Sequence, residues 1–552
     1  MYITEVLTKT KAGQISHRCI LLRETYRENG KVKNRTLANL THCNPQDVAA
    51  LRLALQRKGA LPDLTAMPEA FELKQGPSVG AAWLVYEVAR HLRIDKALGT
   101  SRAGKLALWQ VMARVIAQGS RLSAVRLAQE HAACDILGLR VGFNEEHLYK
   151  NLAWLSAHQA QIEQRLFTAR HSGSRPALFL YDVTSSYLEG LHNALADWGY
   201  NRDKKAGKKQ VVVGLLCDAQ GDPVAVEVFP GNTRDFDTLE SQRHKAAEQF
   251  HCQRVTFVGD RGMIKSRQMA SLKEAGFYYI TAITKPQIEK LLRTGVLHMA
   301  LFHSVLSEVA QAAVRYICRR NPQRAAEIAA IRQEKKATLE ALCQKKSRYL
   351  AEHPRAKVAT AQREIEEKIA RFKVASWLRI EAQGRQLHLH EEATALAEEA
   401  KLDGCYVLQS DVPSAVEAHI IHARYKDLAL VEQAFRTCKT AMLEMRPWYV
   451  WTEASTRGHA LVVMLAYVIT HYLQHVWTAL DMTVEEGLQH LATLCAMELV
   501  SKNEGVCHVI PTPRPTVAQL LEAANVRLPQ GLPHLGARVV SRKELPKRRV
   551  TR

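Results

Sequence analysis

The sequence predicts an α/β fold: a mixed sheet flanked by helices, interrupted by a helical/β insertion and preceded by a β-rich module and a helical domain. Three observations predict it. Between residues 175 and 290, short apolar or β-branched runs alternate with stretches of helical periodicity. From about 291 to 400 that alternation is broken, largely by a stretch saturated with Lys, Arg, Glu, Gln and Ala. From 401 the strand and helix patterns resume.

In chain order, residues 1–58 read as a small β-rich module. Arg18 to Thr25 and Val32 to Leu40 can pair as strands about the turn signal Asn29-Gly30. Residues 59–170 read as a helical domain and a candidate DNA-binding one, with Trp83, Leu84, Val88, His91 and Leu92 recurring near helical spacing. Residues 175–290 form the first half of the core. Strands are expected at Ala177–Tyr181, Gln210–Leu216, Pro223–Phe229, Val255–Val258 and Phe277–Ile283, with helices at Leu239–Phe250 and Ser266–Ala275. The insertion, 291–400, contains long charged helices turning at His353-Pro354, then an alternating strand pattern from Val374 to Leu389. Residues 401–500 complete the core with a strand at Tyr406–Gln409 and helical patterns at Ala415–Leu443 and Ala454–Trp477. A basic tail, 501–552, ends the chain.

Composition narrows the function. The 552 residues carry 76 Lys+Arg against 55 Asp+Glu, a net charge of +21, with 47% hydrophobic and 24% charged residues. That is an ordinary globular balance, which excludes collagen-like, low-complexity and wholly disordered chains. The positive excess points to a polyanion, nucleic acid ahead of an anionic membrane. The longest apolar run, Ala460 to Ile469, is about half of what a bilayer-spanning helix needs, so no membrane partner is expected. Eleven cysteines occur singly without a C-x-x-C pair, which argues for reduced thiols and against zinc. The expected compartment is the cytoplasm, in association with the nucleoid.

Three segments carry chemistry. In Leu178-Phe179-Leu180-Tyr181-Asp182-Val183, an acid interrupts a run that otherwise asks for burial. A desolvated carboxylate costs several kcal/mol unless compensated, and a divalent cation is one compensator; a turn-capping role is the other reading. In Val255-Thr256-Phe257-Val258-Gly259-Asp260-Arg261-Gly262, a second buried-strand pattern ends in an acid, where α/β sheets gather ligands. In the third segment a helix would align Tyr425, Leu428, Glu432, Arg436 and Lys439 near one face, leaving Val431, Ala434, Phe435 and Cys438 for the core. A plain Glu–Arg pair on a solvated face is the alternative there.

Together these segments resemble the DDE transposases of bacterial insertion sequences, in the branch with the signature Y-x2-R-x3-E-x6-K. Tyr425, Glu432 and Lys439 match it in spacing, while Leu428 stands at the signature Arg. Tyr200-Asn201-Arg202-Asp203, Lys209 to Leu215 and Val228 to Thr233 support the likeness, which spans roughly residues 175 to 475. The resemblance implies an RNase H-like core in which Asp182, Asp260 and Glu432 are catalytic and hold two Mg²⁺ ions, with Mn²⁺ able to substitute. It implies double-stranded DNA as partner, both the terminal inverted repeats and the target, and a homodimer on that DNA. Candidate DNA contacts are Tyr425, Arg436 and Lys439, together with Lys204, Lys205, Lys208 and Lys209 of a basic turn. Because Leu428 cannot contact phosphate, Arg424 or Arg436 would supply that charge. Trp377, in the insertion, reads as a core aromatic before a base-stacking one. Asp235 and Asp237 read as helix caps. An RNase H-like nuclease without strand transfer, or an inactive DNA-binding repressor, would share many of these features.

Overall fold

The strand that organises the larger part of the molecule is ten residues long, Leu178–Tyr187, and nearly every residue on it is buried. Its alternation explains why. Leu178 and Leu180 enter one apolar core, and Phe179, Tyr181 and Val183 enter a second on the opposite face. The computed structural model describes residues 1–9, 15–28, 30–56, 71–173, 175–440, 443–445, 448–501 and 506–541.

Eight strands form the main sheet: β1 (Leu178–Tyr187), β2 (Gln210–Cys217), β3 (Pro223–Phe229), β4 (Thr256–Gly259), β5 (Tyr278–Ala282), β6 (Ser307–Gln311), β7 (Val314–Arg320) and β8 (Cys405–Ser410). Their order is β6-β7-β8-β5-β4-β1-β2-β3. β1 pairs antiparallel with β2 and parallel with β4, while β4 pairs parallel with β5. The sheet is therefore mixed, as expected, and each expected strand from 177 to 283 is present. The residue opposite Val183 is Gly214, and a Cβ there would come within 2.4 Å of the Tyr181 hydroxyl. Glycine at that point lets the Tyr181 ring lie flat on β2.

Helices cover both faces. The ones that matter for the site are α1 (Glu145–Arg170), α2 (Pro322–Glu352), α3 (Val358–Phe372), α4 (Leu428–Lys439) and α5 (Glu453–Trp477). α1 begins at a capping box made by Asn144 and His147. α5 is apolar almost all round and is a core helix: its most apolar window is long enough to cross a membrane, yet 72% of that window is buried inside the protein. The helices between Gly80 and Arg170 share this core with α5 and with β1, so they pack as part of the body that carries the sheet. The buried cysteines Cys134, Cys217, Cys252, Cys318, Cys343 and Cys438 are free thiols.

Within 291–400 two kinds of structure occur. β6 and β7 extend the main sheet, β7 pairing with β8. Beyond them, α2 and α3 form the charged hairpin that turns at His353-Pro354. The Arg385 guanidinium donates to the carbonyls of Leu350, His353 and Ala356, satisfying the end of α2. Strands Leu378–Gln383 and Gln386–Glu391 close a hairpin at Gly384. A separate small core holds this region together, and Trp377 is 1% exposed within it. The packing reading of Trp377 stands, and a ring so enclosed presents no face for a base.

The chain's second compact unit comprises Met1–Gly76 with Met497–Val509. It contains a three-stranded antiparallel sheet of Tyr2–Lys9, Ile15–Glu28 and Lys31–Asn39. Asn29 of the expected turn lies outside the described residues, as does the tail from 542.

Candidate active site

Register brings the first two acids together. Tyr181 of β1 pairs with Gly259, the last residue of the parallel strand β4, so Asp182 and Asp260, each one residue further on, leave the pair side by side. By parity Asp182 belongs to the face of Leu178 and Leu180, the face on which α4 packs through Leu428, Val431, Ala434, Phe435 and Cys438. Glu432, on the exposed side of α4, completes the trio. All three line one cleft of about 540 Å³ with Arg202, Asp235, Arg261, Phe435, Arg436 and Lys439.

The electrostatics of the trio are set first by burial. Asp182 is largely desolvated, and its carboxyl is pushed up to about 7 by burial, with Asp260 and Glu432 adding like-charge repulsion. The Val183 amide donates to it at 2.8 Å and Arg202 lies near enough to oppose the rise, without cancelling it. Asp260 is exposed. It accepts from its neighbour's amide, Arg261, at 2.6 Å and from the Tyr425 hydroxyl at 3.0 Å. Burial and the Asp260 carboxylate raise the Tyr425 phenol far above its ordinary value, so it stays a donor.

Tyr425 and Glu432 do not share a helix. The expected single helix is broken at Asp427 into Ala418–Lys426 and α4. Leu428 opens α4 and is buried in the core, so the expected common face for Tyr425, Leu428 and Glu432 is not formed. A Leu at the signature Arg follows from this: the side chain there meets Val431 and its neighbours instead of the cleft. Of the two candidate substitutes, Arg424 is paired with Asp427 at 3.3 Å, whereas Arg436 lines the cleft.

Lys439 is held inside the protein. Its ammonium donates to the Ser185 carbonyl and to Asp203 at 3.0 Å, with the two side chains 10% and 2% exposed. Asp203 also accepts from the Tyr187 amide, and the Arg202 amide donates to the Ser185 hydroxyl at 2.8 Å. The Arg202-Asp203 segment is thereby fixed to β1. Arg202 itself donates to both Asp235 oxygens, at 2.7 and 2.6 Å. Asp235 is thus a cleft residue that orients an arginine, which corrects its reading as a helix cap. Arg202 was visible in the sequence only as part of a matching string; its aim toward the acids depends on contacts with β1 that spacing does not encode.

The four lysines of the basic turn are exposed. Lys208 pairs with Glu189, and Lys205 lies over the Tyr187 ring at 5.7 Å. His459 is buried against Trp448 and Arg121.

The donor chemistry suits a hard divalent cation: three carboxylate side chains face one cleft, one of them raised chiefly by burial. Among the described residues, no three His, Cys, Asp or Glu side chains are drawn together closely enough to enclose an ion by themselves.

The fold thus sets one acid within β1, a second just past the end of the parallel strand β4 and a third on the covering helix α4. Residues 173–469, more than half of the chain, match the family described as "Transposase DDE domain". Residues 4–63 match "IS1634 family transposase, N-terminal domain". The chain belongs to the DDE transposases of bacterial insertion sequences. No curated protein matches it. Among solved structures, the piggyBac transposase synaptic complex with hairpin DNA is similar at a TM-score of 0.36 and 8% identity, over 76% of this chain and 82% of that one.

Proposed function

We propose that this transposase cleaves the ends of its insertion sequence and joins them to target DNA, with Asp182, Asp260 and Glu432 as the catalytic acids. The observation that carries the reading is that three acids from segments far apart in sequence line one cleft with Arg202 and Arg436. The same three side chains would hold Mg²⁺, or Mn²⁺ in its place. Two such ions, when bound, supply charge stabilisation to the attacking and leaving oxygens of in-line phosphoryl transfer.

The chain's own residues do the rest. Tyr425 fixes Asp260 through its hydroxyl. Asp235 aims Arg202 into the cleft, where a guanidinium matches a phosphate. Arg436 provides the cation that Leu428 does not, on the exposed side of α4. Lys439 acts through position: it ties α4 to β1 and to the Arg202-Asp203 segment. Lys204, Lys205, Lys208 and Lys209 add sequence-independent attraction to duplex DNA. Water is the first nucleophile and the liberated 3′-hydroxyl the second, so no covalent enzyme intermediate is needed. Two ends must be joined coordinately, which calls for a homodimer on DNA.

The test is end cleavage and strand joining assayed separately. Asp182→Asn is expected to lose both, while Arg436→Ala weakens engagement of the ends. Pre-cleaved ends supplied with target DNA should yield joined products; cleavage without joining would make the protein a nuclease. Retained cleavage in Asp182→Asn removes the acid trio from the chemistry.

A further inference from the structure

At the Tyr187 end of β1 the protein exposes what a folded chain normally hides. Leu191, Trp198, Tyr200, Tyr449 and Trp451 are between 58% and 99% exposed. Single exposed apolar residues are ordinary, but these five are concentrated in two short stretches, 191–200 and 449–451, that are joined by hydrogen bonds, which is the composition of an interaction surface. The pairing is explicit. The Glu189 and Gly190 amides donate to the Trp448 carbonyl, the Ala194 amide donates to Trp451, and the Asn193 side chain donates to Val450 at 2.7 Å. Trp198 and Tyr200 flank Gly199, where a Cβ would meet the Gly231 carbonyl at 2.2 Å. Asp197, just before, exchanges both backbone hydrogen bonds with Gln210 and accepts from Asn232. These rings therefore sit on backbone that is already fixed, so a partner meets them with little ordering left to do.

Two features identify the partner's chemistry. Cations interleave with the rings: Arg202 lies over the Tyr200 ring at 5.8 Å, and Lys204, Lys205, Lys208 and Lys209 follow immediately in the same loop. The patch also continues β1 away from the acids. The Trp448 amide donates to the Tyr187 carbonyl, so the aromatic segments begin about 17 Å along the strand from Asp182. A surface of fixed aromatic faces lined with Lys and Arg suits unpaired bases with their phosphates, whereas duplex DNA keeps its base faces stacked inside. We infer that the Trp198–Tyr200 and Tyr449–Trp451 surface is a stacking platform for unpaired nucleotides of DNA reaching the cleft. The inference rests on the transposase reading of that cleft, which it deepens.

The test uses the full-length protein without cleavage. Of eight tryptophans, Trp198 and Trp451 are the exposed ones, so acrylamide quenching of intrinsic fluorescence reports chiefly on the patch. The probes are a thymidine oligonucleotide of about 20 nucleotides and a duplex of the same length. The oligonucleotide should shield the quenchable fluorescence. Trp451→Ala and Trp198→Ala should each weaken binding of the single strand about tenfold and of the duplex by less than about twofold, while Trp451→Phe retains single-strand binding. Unchanged quenching, or single-strand affinity unaltered in a folded alanine variant, overturns the platform alone. Loss of a dimer in the alanine variants with affinity intact would also overturn it and assign the patch to a second copy. If the native protein binds neither probe, the DNA reading of the cleft fails as well.

Discussion

Two acids on the same sheet show how differently a carboxylate can be treated. Asp222, in the turn between β2 and β3, is partly buried, which by itself would raise it. The His471 ring at 2.9 Å and the Arg170 guanidinium at 2.5 Å outweigh that and hold it below the ordinary carboxylate range. Asp182 is also withdrawn from water, and there burial, with two more acids as neighbours, raises the carboxyl. The first arrangement is complete within the chain and joins β3 to α1 and α5. The second is electrostatically costly as it stands, and such unresolved charge collects where a ligand or a reacting group is expected to resolve it. Charge satisfied internally holds the fold together; charge left unsatisfied in a cleft marks function.

Substitutions at the two places should separate in opposite directions. The largest effect is expected for Asp182→Asn: DNA cleavage falls to background, yet the metal-free protein becomes more stable. The sign follows from linkage. An acid raised from 3.8 to about 7 in the folded state imposes its full cost above pH 7, and that cost disappears as pH falls toward 3.8. The gain in Tm should therefore be greatest near pH 8, about 1 °C for each kcal/mol recovered in a chain of 552 residues, and absent near pH 4. A variant that is less stable than the native chain at pH 8 would break the comparison.

Asp222→Ala should do the reverse. Leaving Arg170 and His471 without their acid costs roughly 1–3 kcal/mol, read by denaturant unfolding, while cleavage per folded molecule is retained. A smaller effect is expected for Lys439→Ala, which loosens the Arg202-Asp203 segment. A double-mutant cycle with Asp203→Asn should show coupling of about 0.5–3 kcal/mol in stability, together with weaker end binding. Additive effects would mean that the pair does not hold the segment. Least of all, Lys208→Ala breaks an exposed ion pair and should change stability by less than about 0.5 kcal/mol. Its signature is instead a reduction of about one in the salt dependence of duplex binding.

How far the site could be read from the sequence depends on the range of the contacts involved. Asp182 and Asp260 were legible because each interrupts a run whose composition demands burial, and two such runs in one sheet can pair as parallel neighbours. Glu432 was legible from spacing along one segment. Its neighbour Leu428 was misread in direction, because the helix breaks at Asp427 and a period of 3.6 does not carry across a break. Asp235 looked like a cap because it opens a short helical turn; its partner, Arg202, is 33 residues away in sequence. β6 was hidden in Ser307-Glu308-Val309-Ala310-Gln311, an edge strand too polar to announce itself. The five exposed apolar residues had no signal at all, since Trp and Tyr in a sequence ordinarily read as core.

By itself, then, the sequence determined which stretches must be buried strand or helix and which acids would strain that burial, because side-chain period and desolvation are local properties. Tertiary structure alone decided which charges meet, which are already paired and which rings stay in water. Those outcomes turn on contacts between segments tens to hundreds of residues apart, and no spacing along the chain encodes them.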